Sequence, residues 1–181
     1  MRDVAVIIPT LRRPDSLERA LRSVFGQTES LQRVAAIVVA DNDPDGSAAA
    51  LIERLRAEAP VPLTYAHASI PGVATARNIG LAATDASLIA FLDDDEAASP
   101  GWLAALLDAQ GQTGANVVFG PIRGRVPENT GWTTAYLERF FGREGPRATG
   151  LTDDIHGCGN SLMIRATALP GEAAFDVAMN E

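Results

Sequence analysis

Four short apolar runs recur along the first half of the chain, and each is followed by apolar residues at helical spacing. The runs cover residues 4–8, 35–40, 63–68 and 88–92. Short β-branched runs that end at turn residues are typical of buried strands, and apolar residues three and four apart are typical of helices that pack on one face. This alternation predicts an α/β fold built on a largely parallel sheet.

The helices are predicted from their apolar faces and from the positions of proline. They cover residues 17–25 after Pro14, residues 51–55, an alanine-rich stretch through Arg77 to Leu81, and residues 102–107. Ser99 is predicted to cap the last of these helices, with Pro100 at its first position. Beyond it the pattern predicts strands at residues 117–119, 122–126 and 161–164, and a helix over residues 132–141.

Composition and charge exclude several classes of protein. The 181 residues suit one domain, and 46% hydrophobic with 21% charged residues excludes disordered and collagen-like chains. The net charge of −8 has the wrong sign for a protein that must neutralise nucleic-acid phosphates. All basic residues are arginine, which excludes lysine-dependent phosphate loops, Schiff-base enzymes and kinases.

The sequence also favours a cytoplasmic location. Cys158 is the only cysteine and can form no intrachain disulfide, which fits a reducing compartment. The longest apolar stretch, residues 34–40, is much too short to span a bilayer. Pro9 and the arginines after it come too early for a signal peptide. Peripheral contact with the inner face of a membrane stays open.

Unusual polar residues follow three of the predicted strands. Thr10 follows the first, Asp41 and Asn42 follow the second, and the acidic triplet Asp93, Asp94 and Asp95 follows the fourth. In an open parallel sheet, the loops that leave the carboxyl ends of the strands share one crevice, and ligands bind there. The sequence therefore predicts that these distant segments meet in one site.

The acidic triplet has two interpretations. Carboxylates about 4 Å apart repel by about 1 kcal/mol in water and by about 4 kcal/mol at an effective dielectric constant of 20. Mg²⁺ or Mn²⁺ offsets this repulsion, and typically takes one or two carboxylates while substrate phosphates complete its oxygen shell. A solvated acidic turn before the next helix explains the same residues. The residues alone leave both interpretations open.

The other polar residues are ambiguous taken singly. Asp41 and Asn42 suit a nucleobase or ribose, but such residues beside proline and glycine are commonly turns. The planar guanidinium of Arg77 suits a phosphate, yet an arginine on a helix surface is equally ordinary. Trp102 is interpreted as a core residue, and Cys158 is assigned no chemistry.

Four segments, taken in order, carry a resemblance to a known family. They are VAVIIPT at residues 4–10, VVADN at 38–42, GVATARN at 72–78 and FLDDD at 91–95. In this order they resemble the inverting glycosyltransferases of family 2, which have the GT-A fold, a Rossmann-like, mainly parallel sheet flanked by helices. The run DDDE, followed by PGWL at residues 100–103, is most similar to bacterial exopolysaccharide glucosyltransferases of the succinoglycan type.

The resemblance implies a role for each matching residue. The nucleotide would be held by Pro9, Thr10, Asp41, Arg77, Asp93 and Asp94. Asp95 would bind the divalent metal, Mn²⁺ or Mg²⁺, while Gly159 and Asn160 would lie near the donor sugar or the acceptor. The implied partners are a nucleotide-sugar donor, with a UDP-sugar favoured, and a saccharide or lipid-linked acceptor.

The implied reaction is a single displacement that inverts the anomeric carbon and needs a general base at the acceptor hydroxyl. In the family this base is usually the aspartate of a Glu-Asp pair, which is expected here beyond Glu181, so no catalytic residue is assigned. We therefore expect one GT-A domain over residues 1–181, truncated at its C-terminal end. Residues 1–98 would form the nucleotide-binding half and residues 99–181 an incomplete donor and acceptor half.

Two further hypotheses stay open beside the transferase. A non-catalytic module would bind a nucleotide-sugar without turnover. A nucleotidyltransferase would synthesise the sugar nucleotide, although the chain lacks a glycine- and lysine-rich phosphate loop after its first strand.

Overall fold

The computed structural model describes residues 2–126, 131–142, 150–152, 157–171 and 173–180. The strands in these ranges are β1 (Val4–Thr10), β2 (Val34–Asp41), β3 (Leu63–His67), β4 (Leu88–Leu92), β5 (Val117–Phe119) and β6 (Asn160–Ile164). The helices are α1 (Pro14–Phe25), α2 (Ala49–Leu55), α3 (Val73–Ala82), α4 (Trp102–Thr113), α5 (Thr134–Phe141) and α6 (Arg165–Ala168). Short 3₁₀ turns lie at Leu31–Arg33, Gly131–Thr133 and Val177–Met179.

The strands of the described ranges form one sheet in the order β3-β2-β1-β4-β6-β5. β1 to β4 are parallel, whereas β6 runs antiparallel between β4 and β5. The prediction of an α/β fold with a mainly parallel sheet is therefore confirmed. Thr10 is the register partner of Asp41, and Leu92 is the partner of Asn160, so the polar segments do meet at one edge of the sheet.

Helices cover both faces of the sheet, which explains why the central strands are apolar at almost every position. Along β1, Val4, Val6 and Ile8 face the core shared with α1, α2 and α4. Ala5 and Ile7 face the opposite core, which includes Leu81 of α3. All seven residues of β1 are buried. The strand therefore has no solvent-facing side on which alternating polar residues would be expected.

Helix α3 lies unusually close to β1 because it carries a glycine at the contact. A methyl group added at Gly80 would lie 2.5 Å from Cγ2 of Ile7, far inside van der Waals contact. Close packing of α3 matters for the site, since the first turn of this helix forms one wall of the cleft described below.

The predicted strand at residues 122–126 is wrong. Only Ile122 forms an isolated bridge, and residues 123–126 have no strand pairing. This segment instead packs against the end of α5. A Cβ added at Gly124 would lie 2.1 Å from the Glu138 carbonyl oxygen, and one at Gly142 would lie 3.2 Å from the Gly124 nitrogen.

The predicted cap of α4 is also wrong. The helix begins at Trp102, two residues later than the sequence pattern indicates, and Ser99 makes no side-chain cap. The Trp102 amide donates to the Ser99 carbonyl (3.0 Å), and Gly101 has a φ of 76°. Proline followed by a glycine with positive φ is the signature of a type II turn, which here precedes the helix.

The other sequence predictions concern the second half of the chain. The helix predicted over residues 132–141 is present as α5 with a 3₁₀ turn before it. Residues 143–149, which follow α5, lie outside the described ranges, as does Glu181. Within the described ranges, none of the helices has the combination of length and apolar character that a bilayer crossing requires.

Candidate functional site

A cleft of about 460 Å³ opens at the carboxyl ends of β1, β2 and β4. Its lining comes from the β1–α1 loop, the end of β2, the start of α3, the acidic triplet and one distant asparagine. These residues are Pro9, Thr10, Leu11, Arg13, Asn42, Pro71, Gly72, Val73, Ala76, Arg77, Asp93, Asp94, Asp95 and Asn180. Six of the predicted site residues line this cleft, whereas Asp41, Gly159 and Asn160 do not.

The three carboxylates of the acidic triplet have different partners. Nη2 of Arg77 lies 3.3 Å from Oδ1 of Asp93. The buried Asp94 accepts a 2.6 Å hydrogen bond from Oγ1 of Thr10. Asp95 is the most exposed of the three, with 59% of its side chain accessible, and it accepts a 2.9 Å hydrogen bond from Nη1 of Arg13. The triplet is therefore held by cationic and hydroxyl donors from the end of β1, from the loop that follows it and from helix α3.

Three carboxyl groups in this region have raised pKa values. Burial raises the pKa of Asp93 and of Asp94, while Arg77 and Thr10 respectively oppose the shift. Burial also raises the pKa of Glu96 to about 8, and the negative charges of Asp93 and Asp95 add to this. These groups resist ionisation mainly because they are withdrawn from water, and the nearby negative charges add a smaller effect.

Gly159 shapes the cleft from behind. A Cβ added at this position would lie 2.1 Å from Oδ2 of Asp93. The two backbones are also joined, because the Asp93 amide donates to the Gly159 carbonyl (2.9 Å). Only a residue without a side chain therefore fits behind the Asp93 carboxylate in its observed position.

Arg77 is held by three features of its surroundings. Its side chain is 15% exposed, its guanidinium carbon lies 5.7 Å from the centre of the Phe175 ring, and Asp93 faces its terminal nitrogen. Nε of Arg77 is buried and has no hydrogen-bond partner among the described residues. A guanidinium fixed in this way, with donor capacity left over, suits an anionic ligand.

Asp41 is fully buried, and its carboxylate organises the loop after β2. Oδ1 accepts from the Asp43 amide (3.1 Å), and Oδ2 accepts from the Ala48 amide (2.8 Å) and the Tyr65 hydroxyl (3.0 Å). Its predicted contact with the nucleotide stays a prediction. The neighbouring Asn42 is the residue of this loop that lines the cleft.

The side chain of Asn160 is likewise hydrogen-bonded to other residues of the protein. Its Oδ1 accepts a 2.7 Å hydrogen bond from the indole of Trp102, and its Nδ2 donates to the Pro121 carbonyl (3.0 Å). Trp102 is a core residue, as the sequence indicates. The proximity of Asn160 to donor or acceptor stays a prediction, and its observed contacts join α4 to β6 behind the acidic triplet.

Residues 5–169 match the family described as "Glycosyl transferase family 2". The chain belongs to glycosyltransferase family 2. This family 2 chain is similar to the succinoglycan biosynthesis protein ExoM of Rhizobium meliloti (strain 1021), with 41% identity over 114 residues. The match covers 63% of the chain and 37% of ExoM. The sequence-based assignment to this family, nearest the succinoglycan type, is confirmed.

Two solved structures show the same fold. S. aureus TarS 1–349 in complex with UDP-GlcNAc has a TM-score of 0.56 and 19% identity, covering 71% of this chain and 36% of TarS. The mannosyltransferase PcManGT from Pyrobaculum calidifontis in complex with GDP-Man and Mn²⁺ has a TM-score of 0.59 and 23% identity, covering 68% and 36%. The GT-A prediction is thereby confirmed. The family 2 chain spans little more than a third of the length of these relatives.

The donor set of the cleft fits a divalent metal shared with a substrate. Within the described ranges, no three His, Cys, Asp or Glu side chains come together in an arrangement that alone could hold a metal ion. Mg²⁺ and Mn²⁺ commonly use one or two carboxylates and take their other ligands from substrate phosphates and water. The exposed Asp95 offers a hard oxygen donor of this kind at the cleft surface.

Several cleft residues of the family 2 chain were not identified from the sequence. Arg13 reaches both Asp94 (3.5 Å) and Asp95, and the left-handed φ of 54° at Arg12 turns the chain just before it. Asn180 comes from the far end of the chain. The pair Arg12-Arg13, one residue after the β1 motif, is the signal that could have pointed to a cationic loop.

Tyr65 provides a test of the Asp41 network. Burial, with the hydrogen bond to Asp41, raises the pKa of Tyr65 to about 12, above the ordinary value of about 10. The neutral phenol therefore contributes stability that is complete below about pH 10 and is lost as the pH rises toward about 12. In an ultraviolet absorbance titration of the folded chain, we expect phenolate formation near pH 12, absent from Tyr65→Phe. A late phase that persists in Tyr65→Phe would contradict this.

Proposed function

We propose that the chain is the donor-binding part of a glycosyltransferase that uses a nucleotide-diphosphate sugar, with a UDP-sugar as the favoured donor. The sugar would pass to a saccharide or lipid-linked acceptor with inversion, in cell-surface or exopolysaccharide synthesis. One observation carries this proposal: the acidic triplet faces Arg13 and Arg77 in a single cleft. Family membership and the likeness to ExoM support it, as do the nucleotide-sugars named for the TarS and PcManGT complexes.

The cleft has the size and charge pattern for such a donor. Its volume of about 460 Å³ lies within the range of about 300 to 1,000 Å³ that is usual for small-molecule sites. Arginine binds phosphate oxygens through its planar fork, whereas the exposed carboxylate of Asp95 can bind phosphate only through a cation. A nucleoside diphosphate with a divalent metal would suit both the arginines and the Asp95 carboxylate.

Three residues of the cleft, Asp95, Arg77 and Thr10, would each have a distinct role in transfer. Asp95 would hold the divalent cation, whose positive charge would stabilise the departing diphosphate. Arg77, fixed by Asp93 and Phe175, would add a second positive charge that needs no rearrangement during the reaction. Thr10 holds Asp94 in place by its short hydrogen bond. The general base stays an expectation, and no residue in the described part of the chain is assigned to it.

Calorimetric titration of UDP into the protein tests the proposal. With Mn²⁺ we expect saturable binding, and with EDTA we expect binding at least tenfold weaker. Asp95→Ala in Mn²⁺ should behave like the wild type in EDTA, because the metal loses its protein carboxylate. Asp108→Ala is the matched control, since Asp108 is an exposed residue of α4 outside the cleft.

The outcomes separate the competing functions. UDP binding that is equal in Mn²⁺, in EDTA and in Asp95→Ala would contradict a metal-bridged donor site. Absence of binding for UDP, GDP and dTDP together would contradict the proposed function itself. Metal-dependent binding alone would fit both a transferase and a non-catalytic nucleotide-sugar module, and donor hydrolysis or transfer to an acceptor would favour the transferase.

We also propose a cytoplasmic site of action. It is supported by the single cysteine, which leaves no intrachain disulfide to be formed in an oxidising compartment. Burial raises the pKa of the Cys158 thiol, which makes it a poor nucleophile at neutral pH.

A further inference from the structure

The segment of residues 173–180 lies along α3 and is fixed to it by two asparagine side chains. The first is Asn78 on α3, which pairs with the backbone of Phe175. Nδ2 of Asn78 donates to the Phe175 carbonyl (2.8 Å), and Oδ1 accepts from the Phe175 amide (2.9 Å). A side-chain amide that satisfies both backbone groups of one residue fixes that residue in position and orientation.

The second is Asn180, whose side chain lies at the first turn of α3. Oδ1 accepts from the amides of Ala74 (3.0 Å) and Thr75 (3.1 Å), and Nδ2 donates to Oγ1 of Thr75 (2.9 Å). The space for this side chain exists because residue 72 is glycine: a Cβ there would lie 2.0 Å from Cγ of Asn180. The amides at the start of a helix have no partner within the helix, and Gly72 has no side chain to cap them.

The same segment also fixes Arg77. The Phe175 ring lies under the Arg77 guanidinium and packs edge to face on Phe91 of β4, with ring centres 5.6 Å apart. Residues 173–180 therefore support the α3 wall of the cleft at two points. Asn180 contacts the first turn of α3, and Phe175 contacts the guanidinium of Arg77.

The choice of asparagine at residue 180 is informative. Asparagine and aspartate cap helix starts about equally well, and aspartate adds a favourable interaction with the helix dipole. The helix cap alone therefore gives no reason for the neutral side chain, and the Thr75 hydroxyl, which accepts from Nδ2 of Asn180, could donate to a carboxylate instead. Asn180, however, lines the cleft that already contains the acidic triplet, so a carboxylate there would repel an anionic ligand.

We propose that Asn180 is a positioning residue of the donor site, which caps α3 with a neutral amide and so holds the Arg77 wall without adding negative charge beside the diphosphate. This inference rests on the proposed function. It predicts that the cap and the charge can be separated by two substitutions, because Asn180→Ala removes both amide contacts whereas Asn180→Asp keeps an acceptor oxygen for the Ala74 and Thr75 amides.

The experiment measures thermal unfolding and the affinities of UDP and uridine in Mn²⁺, with uridine followed by displacement of UDP. Asn180→Ala should lower both the melting temperature and the affinity for UDP. Asn180→Asp should have nearly the melting temperature of the wild type but should bind UDP at least tenfold more weakly. Its affinity for uridine should change less than about twofold, since uridine carries no phosphate. Asn116→Asp makes the same chemical change on an exposed residue outside the cleft and should change neither affinity.

Each other outcome overturns the assignment. Asn180→Asp binding UDP as the wild type does would show that charge at residue 180 is irrelevant to the ligand. Equal losses of UDP and uridine affinity would show a general disturbance of the cleft. A wild-type chain that binds no nucleoside diphosphate would overturn the proposed function together with this inference, whereas the first two results overturn the inference alone.

Discussion

Asp41→Ala is expected to lower the free energy of unfolding by about 3 to 5 kcal/mol. The fully buried carboxylate accepts hydrogen bonds from two backbone amides and the Tyr65 hydroxyl. Each buried donor left without a partner costs about 1 to 3 kcal/mol, and entry of water into the space left by the carboxylate would recover part of the total. Urea unfolding followed by circular dichroism measures the change.

Asp45→Ala is the matched control, because Asp45 lies in the same loop with its side chain 88% exposed and only a 3.8 Å ion pair to Arg12. Exposed pairs of this kind contribute about 0 to 1 kcal/mol, so the control should retain nearly all of the wild-type stability. If Asp41→Ala unfolds like the wild type and loses only nucleotide affinity, the carboxylate serves the ligand and the loop does not depend on it.

Gly159→Ala is expected to weaken UDP binding in Mn²⁺ by at least thirtyfold, or about 2 kcal/mol. The added methyl group would lie 2.1 Å from Oδ2 of Asp93, while the backbone hydrogen bond between the two residues prevents them from moving apart freely. The carboxylate must therefore turn away from Arg77, and both groups of the cleft lose their observed positions. Overpacking of this kind typically costs about 1 to 3 kcal/mol of stability as well.

Gly157→Ala provides the comparison for this substitution. Gly157 lies two residues earlier in the same turn region, and a Cβ there would have no neighbour within 4 Å among the described residues. Calorimetry should give it the affinity of the wild type. Equal affinities for Gly159→Ala and Gly157→Ala would show that the position of Asp93 has no part in binding.

The location of the site was predictable because it depends on strand ends. β1, β2 and β4 were each marked by an apolar run that stops at a polar residue, and parallel pairing aligned Thr10 with Asp41 as the topology requires. The acidic triplet stood out by charge alone. These signals are local in sequence, and the pairing of parallel strands brings the marked residues to the same edge of the sheet.

The partner of each polar group was not predictable in the same way. Whether Asp41 faces the cleft or its own loop depends on the position of the Ala48 amide, which the loop conformation decides. Asn160 takes its partner from Trp102, 58 residues away, and Asn180 from Ala74, 106 residues away. Such contacts exist only after the helices have docked, so neither spacing nor residue type indicates them.

The position of β6 has a consequence for the order in which the molecule is built. The four parallel strands β1 to β4 pair with one another and are complete at Leu92, so they can associate early, even during synthesis. β6 must then add antiparallel to β4 across a long stretch of chain, a pairing with a high cost in loop-closure entropy. Gly159 directly precedes β6 and therefore reaches the site together with this strand. We therefore expect a newly made chain to acquire its nucleotide affinity in one of its last folding steps, after most of the sheet has formed.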